Sequence, residues 1–346
     1  MLNHLRPSRA PRSTSIVNAG ARAPAYTPRP LRGRDCITRR ELLATGSAAL
    51  AALALPTESL AAKPKAANMR GFIDAHVHVW TPDTAKYPLA AGFTKKDMQP
   101  PSFTPEQLFE HAKRHGVARV TLIQMHFYMF DNSYMLDTIS RFPGVFSGVA
   151  IIDEEAPKVP ERMRELAKRG VRGFRIYAFG KPVDRWISSD GMQAMWRTGA
   201  EEGLAMCGLI NPEALPAIDK MCEKYPQTPV VIDHFARIGM DGPIRDNDVE
   251  KLCRLARHKH THLKVSAYYA LGAKKAPYLD LAPMIRRVLD AFGPERLMWA
   301  SDCPFQVEDG HTYRDSIELV RSRLDFLSDG DRDWLLGKTA EKVFFS

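Results

Sequence analysis

The chain has 346 residues, 45% hydrophobic and 26% charged, a composition that buries a substantial core and excludes a disordered polymer. Its net charge of +9 sits in the first 70 residues, which hold 12 Lys and Arg against 3 Asp and Glu and leave 37 of each sign in the remainder. The body is therefore formally neutral and carries no phosphate-binding face, which excludes nucleic acid as a partner.

The N-terminal stretch is rich in Arg and Pro and then reads TRRELLATGSAALAALALPTESLAAK. Arg39-Arg40, the mild apolar run from Leu42 to Leu55 and the small residues around Ser59-Leu60-Ala61 resemble a twin-arginine export signal. Residues 1–62 are expected to be a leader read by the export machinery, giving a periplasmic or otherwise exported product, and residues 63–346 a single folded domain. The apolar run falls short of the ~20 residues that span a bilayer, so no stable membrane insertion is expected after cleavage.

The body opens on GFIDAHVHVW. The β-branched Val77 and Val79 favour a strand, where alternation puts His76 and His78 on one face with Asp74 behind them. Two imidazoles so placed form a chelate, against the plainer reading of two polar, partly exposed histidines. TPEQLFEHAKRHG follows as a helix with Thr104 as N-cap, Pro105 at the first position, Gln107 completing a capping box and Gly116 as the stop. Strand-like runs then alternate with helical ones: ARVTLIQM, NSYMLDTISRF, VFSGVAII, PERMRELAKRG, VRGFRIYA, LAMCGLI, PEALPAIDKMCEKY, VVIDHF, NDVEKLCRLARH, HLKVSAYY, APMIRRVLDAFG and RLMWASD. Parallel strands need crossovers of about a dozen residues, and eight such units imply an α/β fold of the (β/α)8 TIM-barrel type. The alternative, an open doubly wound sheet, lacks a Gly-x-Gly-x-x-Gly turn after its first strand.

In a barrel the chemistry gathers where the strands end. Counting by twos brings His76 and His78, Gln124 and His126, Arg175 and Tyr177, His234, Ser266 and Tyr268, and Asp302 to one mouth. Asp233, adjacent to His234, is expected on the opposite face as a structural residue. Lys264, Tyr268 and Tyr269 read as core or rim packing rather than substrate contacts, and His258, His260 and His262 as a polar loop at the other end. Of the cysteines in the body, Cys207, Cys222, Cys253 and Cys303, the first and last lie in apolar runs as small hydrophobes; no Cys-x-x-Cys occurs, and spacing pairs none of them.

The segments IDAHVHVW, VVIDHFAR and LMWASDCPF, in this order and at these strand positions, resemble the amidohydrolase superfamily, in particular its branch of metal-dependent TIM-barrel lactonases and related decarboxylases. The resemblance spans Gly71 to Ser346. It implies His76, His78, His234 and Asp302 as ligands of one divalent ion, zinc or manganese, with Asp302 and His234 catalytic and Asp302 the general base. It departs from the binuclear members, because the fourth strand ends in Arg175-Ile176-Tyr177 with no bridging lysine. Some members of the branch work without metal, and the same residues allow both routes. A cation would lower the pKa of a water toward neutrality; alternatively the histidines would stabilise an oxyanion while Asp302 activates free water.

The expected substrate is a small molecule, carboxylated or sugar-derived, with Arg175 clamping a carboxylate and Tyr177, His126 and Tyr268 around it. The expected reaction is hydrolysis of a lactone or related cyclic ester. Two alternatives remain at this point: non-oxidative decarboxylation of an unsaturated or aromatic acid on the same barrel, and an exported protein that binds a metal or ligand without turnover.

Overall fold

The computed structural model describes residues 71–177 and 182–346. The leader reading of residues 1–62, and the domain boundary drawn after it, lie outside the described residues. Eight parallel strands run in the order β1 (Phe72–Val77), β2 (Val117–Ile123), β3 (Phe146–Ala150), β4 (Val171–Tyr177), β5 (Ala205–Leu209), β6 (Val230–Ile232), β7 (Thr261–Val265) and β8 (Leu297–Trp299). The sheet closes just beyond the C-terminal ends of β8 and β1: the amide of His78 donates to the Cys303 carbonyl at 2.8 Å and that of Asp302 to the His76 carbonyl at 2.9 Å. All eight expected strands are present, and the fold is a (β/α)8 barrel.

The crossovers carry α1 (Pro105–Ala112), α2 (Ser133–Arg141), α3 (Val159–Lys168), α4 (Val183–Ser188), α5 (Asp190–Glu202), α6 (Leu215–Lys224), α7 (Asp246–Arg254) and α8 (Ala282–Phe292). Three short helices follow β8: α9 (Tyr313–Glu318), α10 (Asp329–Asp333) and α11 (Thr339–Phe344). The start of α1 has the expected cap, with the Thr104 amide donating to Gln107 Oε1 at 2.8 Å and the Gln107 amide to Thr104 Oγ1 at 3.4 Å. Gly116, at φ 82°, turns the chain into β2. No described helix is long and apolar enough to cross a membrane.

Burial separates two apolar layers. The larger lies between strands and helices. The smaller fills the barrel mainly with short side chains, among them Ala75, Val149, Cys207, Val231 and Ala300, beside the larger Ile73 and Met298, and α11 closes its floor with Ala340 and Phe344. Small residues fit there because a barrel of eight strands has room inside only for its own side chains. The four cysteines of the body are unpaired thiols, with Cys207 and Cys303 buried as expected.

Candidate active site

A fault in pairing places the first two histidines. Between Asp74 and Val77 the register of β1 against β2 slips by one residue. Ala75 and His76 therefore both turn inward, and Asp74 turns out. The expectation that Asp74 shares the face of the two histidines fails for this reason, since a bulge breaks the period of two. Asp74 instead accepts from the Ser301 amide at 2.8 Å and the Tyr313 hydroxyl at 2.7 Å. It pins β1 to the chain beyond β8, so that His76 and Asp302 emerge side by side.

His78 Nδ1 lies 2.9 Å from the Ile123 carbonyl and must donate to it, which leaves the lone pair on Nε2. That Nε2 is 3.2 Å from His76 Nε2, and Asp302 Oδ1 is 3.4 Å from the nitrogen of His76 and 3.5 Å from that of His78.

β6 overturns a second expectation. Val231 faces the barrel interior, so counting by twos brings Asp233 inward and His234 outward. Asp233 is fully buried beneath His76, with Oδ1 3.4 Å from His76 Nδ1 and 3.0 Å from Lys264 Nζ. His234 still reaches the site because the strand ends at Ile232 and His234 adopts φ 53°, a left-handed turn that swings its ring over the mouth. Ser266 Oγ, 2.8 Å from His234 Nδ1, holds the ring with Nε2 3.7 Å from Asp302 Oδ2.

Lys264, expected as packing, is fully buried inside the barrel, 3.1 Å from His76 Nδ1. The signal was available, because Lys264 and Ser266 stand two apart on one strand. Tyr268 is the opposite case. Ala267 takes φ 57°, the alternation ends, and the Tyr268 hydroxyl turns back to donate to the Val265 carbonyl at 2.8 Å. Its neighbour Tyr269 lines the cavity and donates to Asp302 Oδ2 at 2.7 Å.

Asp302 follows Met298 and Ala300 on the inward face. Its Oδ1 is buried and receives no hydrogen bond. Burial opposes its charge, but the neighbouring His234, His78 and His76 hold its carboxyl well below the usual carboxylate range. Burial, reinforced by the Lys264 ammonium, pushes His76 far below the ordinary imidazole value, and burial lowers His234 as well. Both rings are neutral at pH 7.

Among the described residues, His76, His234 and Asp302 bring one ligand atom each within 4.8 Å of one another. The His78 lone pair, the facing nitrogen of His76 and a carboxylate oxygen converge on one spot, and they repel unless something positive lies between them, either a proton on His76 or a cation. The unbonded Oδ1 of Asp302 fits the cation, and a set of imidazole nitrogens and carboxylate oxygen suits zinc or manganese.

Above this floor lies a cavity of about 510 Å³ whose lining includes Arg175, Tyr177, His126 and Tyr269. Arg175 reaches Asp233 Oδ2 only at 4.0 Å, and its Nε has no hydrogen-bond partner. Gln124 is not on that wall, since Ile123 is the inward residue of β2; its amide ties down the next loop by donating to the Asp131 carbonyl at 2.6 Å. The three histidines after α7 remain apart from the site, with His258 2.6 Å from Asp219 and His262 3.1 Å from the His260 carbonyl.

The amidohydrolase family model matches residues 73–345. An L-fucono-1,5-lactonase from Burkholderia ambifaria is 30% identical over 247 residues, which cover 69% of this chain and 82% of that protein. A 4-sulfomuconolactone hydrolase from Rhizobium radiobacter is 28% identical over 238 residues, covering 68% and 76%. The solved structure of an amidohydrolase from Burkholderia multivorans with bound zinc shares the fold at a TM-score of 0.67 and 21% identity, over 79% of this chain and 99% of that one. Because the match runs from the first barrel strand to the last helix, this chain belongs to the amidohydrolase family and is a hydrolase.

Proposed function

We propose that the protein is an exported, metal-assisted lactone hydrolase that opens a cyclic ester by attack of water, with Asp302 as general base. The observation that carries this reading is Asp302 itself, a buried carboxylate with an unbonded Oδ1 facing imidazoles at the floor of a cavity. The relatives named for lactone hydrolysis support the ester as the bond broken. His76, His78, His234 and Asp302 would hold one divalent ion, and Asp233 beneath His76 would set the proton of that ring. Such an ion supplies a water acidified toward neutral pH.

The residues of the chain do the rest. Asp302, held ionised by its imidazole neighbours, is the base that takes the proton of the attacking water. Tyr269 fixes the carboxylate through Oδ2. The oxygen of water bonds to the lactone carbonyl carbon, the ring C–O bond breaks, and the proton held by Asp302 passes to the departing alkoxide. Arg175 orients the substrate through an anionic group.

Asp302→Asn keeps the volume and removes the base. Turnover of a panel of lactones should fall by about 10² to 10⁴, with KM changed far less and the melting temperature measured alongside. The parent protein should carry about one equivalent of zinc or manganese by elemental analysis. A folded variant as fast as the parent overturns the role of Asp302, and a metal-free parent of full activity overturns the ion. Export rests on Arg39-Arg40, and replacing both with lysine should leave precursor in the cytoplasm; normal export of that variant removes this part of the reading.

A further inference from the structure

Tyr269 carries the hydroxyl that fixes Asp302, yet it stands on a loop, between β7 and α8. A loop side chain holds a catalytic carboxylate only as well as it is itself held. Its ring has two aromatic neighbours on the connection that follows β8, Phe305 at 6.5 Å and His311 at 6.1 Å between centroids. Phe305 is backed by Trp80 and His78, with ring centroids 6.4 Å and 5.7 Å away. His311 is only half-buried, and it follows a turn in which Asp309 takes φ 51° and Gly310 φ 85°.

What holds His311 is a chain of hydrogen bonds whose direction is set at its far end. Gln306 is fully buried and faces the Thr312 carbonyl at 3.1 Å, so it must present its amide nitrogen there. The same nitrogen donates to the Tyr278 hydroxyl at 3.0 Å. The proton of Tyr278 is thereby left for His311 Nδ1, 2.7 Å away, and His311 accepts it. Gln306 and His311 belong to the connection that carries Asp302, Tyr278 to the loop that carries Tyr269. The chain thus ties together the two segments whose side chains meet at Asp302. His311 itself is outside the lining of the cavity, so its ring reaches the reaction only through Tyr269.

We propose that His311 is a positioning residue for the hydrolysis: held by Tyr278 and Gln306, its ring fixes Tyr269, and Tyr269 fixes Asp302. The inference rests on the lactone reading above and deepens it. A displacement of about 1 Å in a group that holds the reacting atoms costs about 100-fold in rate.

His311→Ala should lower kcat by about 10- to 100-fold on whichever lactone the parent opens fastest, with KM changed by less than about threefold because the cavity wall is intact. Tyr269→Phe removes the hydroxyl and should lower kcat by a similar factor. In the double variant the two losses should not multiply, since without the hydroxyl His311 has nothing left to position. His311→Phe keeps a ring beside Tyr269 and should recover most of the lost kcat, although it strands the Tyr278 hydroxyl and lowers the melting temperature. Losses that multiply, or a kcat that follows the melting temperature instead of the ring, make His311 a structural strut and overturn the inference. The crystal structure of His311→Ala gives a readout independent of turnover, in which the Tyr269 hydroxyl should lie beyond about 3.5 Å from Asp302. A hydroxyl still bonded to Asp302 there overturns the inference and leaves the lactone reading standing. If the parent opens no lactone, the lactone reading falls, and a displaced Tyr269 leaves the positioning by His311 standing. Should His311→Ala not fold, Tyr278→Phe unties His311 without removing it and is judged by the same kinetics and the same distance.

Discussion

At the scale of single residues, the pair with the most at stake is Lys264 and Asp233. Both are fully buried, 3.0 Å apart, in a barrel filled mainly with small apolar side chains. Charges so placed are tolerable only together, because each neutralises what the other lost on leaving water. Lys264→Met would leave Asp233 with His76, which is neutral, and with Arg175 at 4.0 Å. We expect a loss of about 3–5 kcal/mol in urea unfolding, and a much smaller loss when Asp233→Asn is added, since the second change removes the stranded charge. Equal losses in the single and double variants would show that the pair is not a unit. The pair was half legible in the sequence. Strand alternation from Ser266 brings Lys264 inward, but its partner is hidden by the turn that brings His234 in after Asp233.

At the scale of elements, what could be read depended on whether local rules were obeyed. The cap of α1 was readable because its partners are three residues apart and need nothing from the rest of the molecule. Thr104→Ala should therefore destabilise the barrel by about 1 kcal/mol, with Thr104→Ser restoring most of it in the same thermal melts. No effect of the alanine would mean that packing alone holds the start of α1. The helices named from the sequence omit α5, although Met192, Met195, Trp196 and Gly199 are spaced as one buried helical face and Ser189 caps it. The bulge in β1 and the left-handed turns at His234 and Ala267 have no such local signature. Each shifted a residue from the face that plain alternation gives it: Asp74, His234 and Tyr268 respectively.

At the scale of the whole molecule, the barrel has an acid-sensitive floor. His262 on β7 is buried beside α11, and burial, with Lys342 adding to it, pushes its pKa down to about 4. The folded protein keeps the ring neutral while the unfolded chain takes up a proton below about 6.5. Stability from this group is thus complete above pH 6.5 and declines as the pH falls toward 4, by about 3 kcal/mol in all. His262→Asn should flatten that part of the decline, measured as unfolding free energy at pH 7 and pH 4.5. A variant that loses stability with acid as steeply as the parent would place the sensitivity elsewhere.

By itself the sequence determined the number and order of the barrel strands, the neutral charge of the body, and the positions of His76, His78, His234 and Asp302 at or just beyond the ends of barrel strands. These follow from period, propensity and turn residues, which act over a few residues at a time. Only the tertiary structure decided which side chains meet. Closing the sheet brings β1, β7 and β8 together from opposite ends of the chain, puts Lys264 under His76, and exchanges Tyr268 for Tyr269 at Asp302. The physical reason is that a single bulge or left-handed residue reverses every face that follows it, and its position depends on strands distant in sequence.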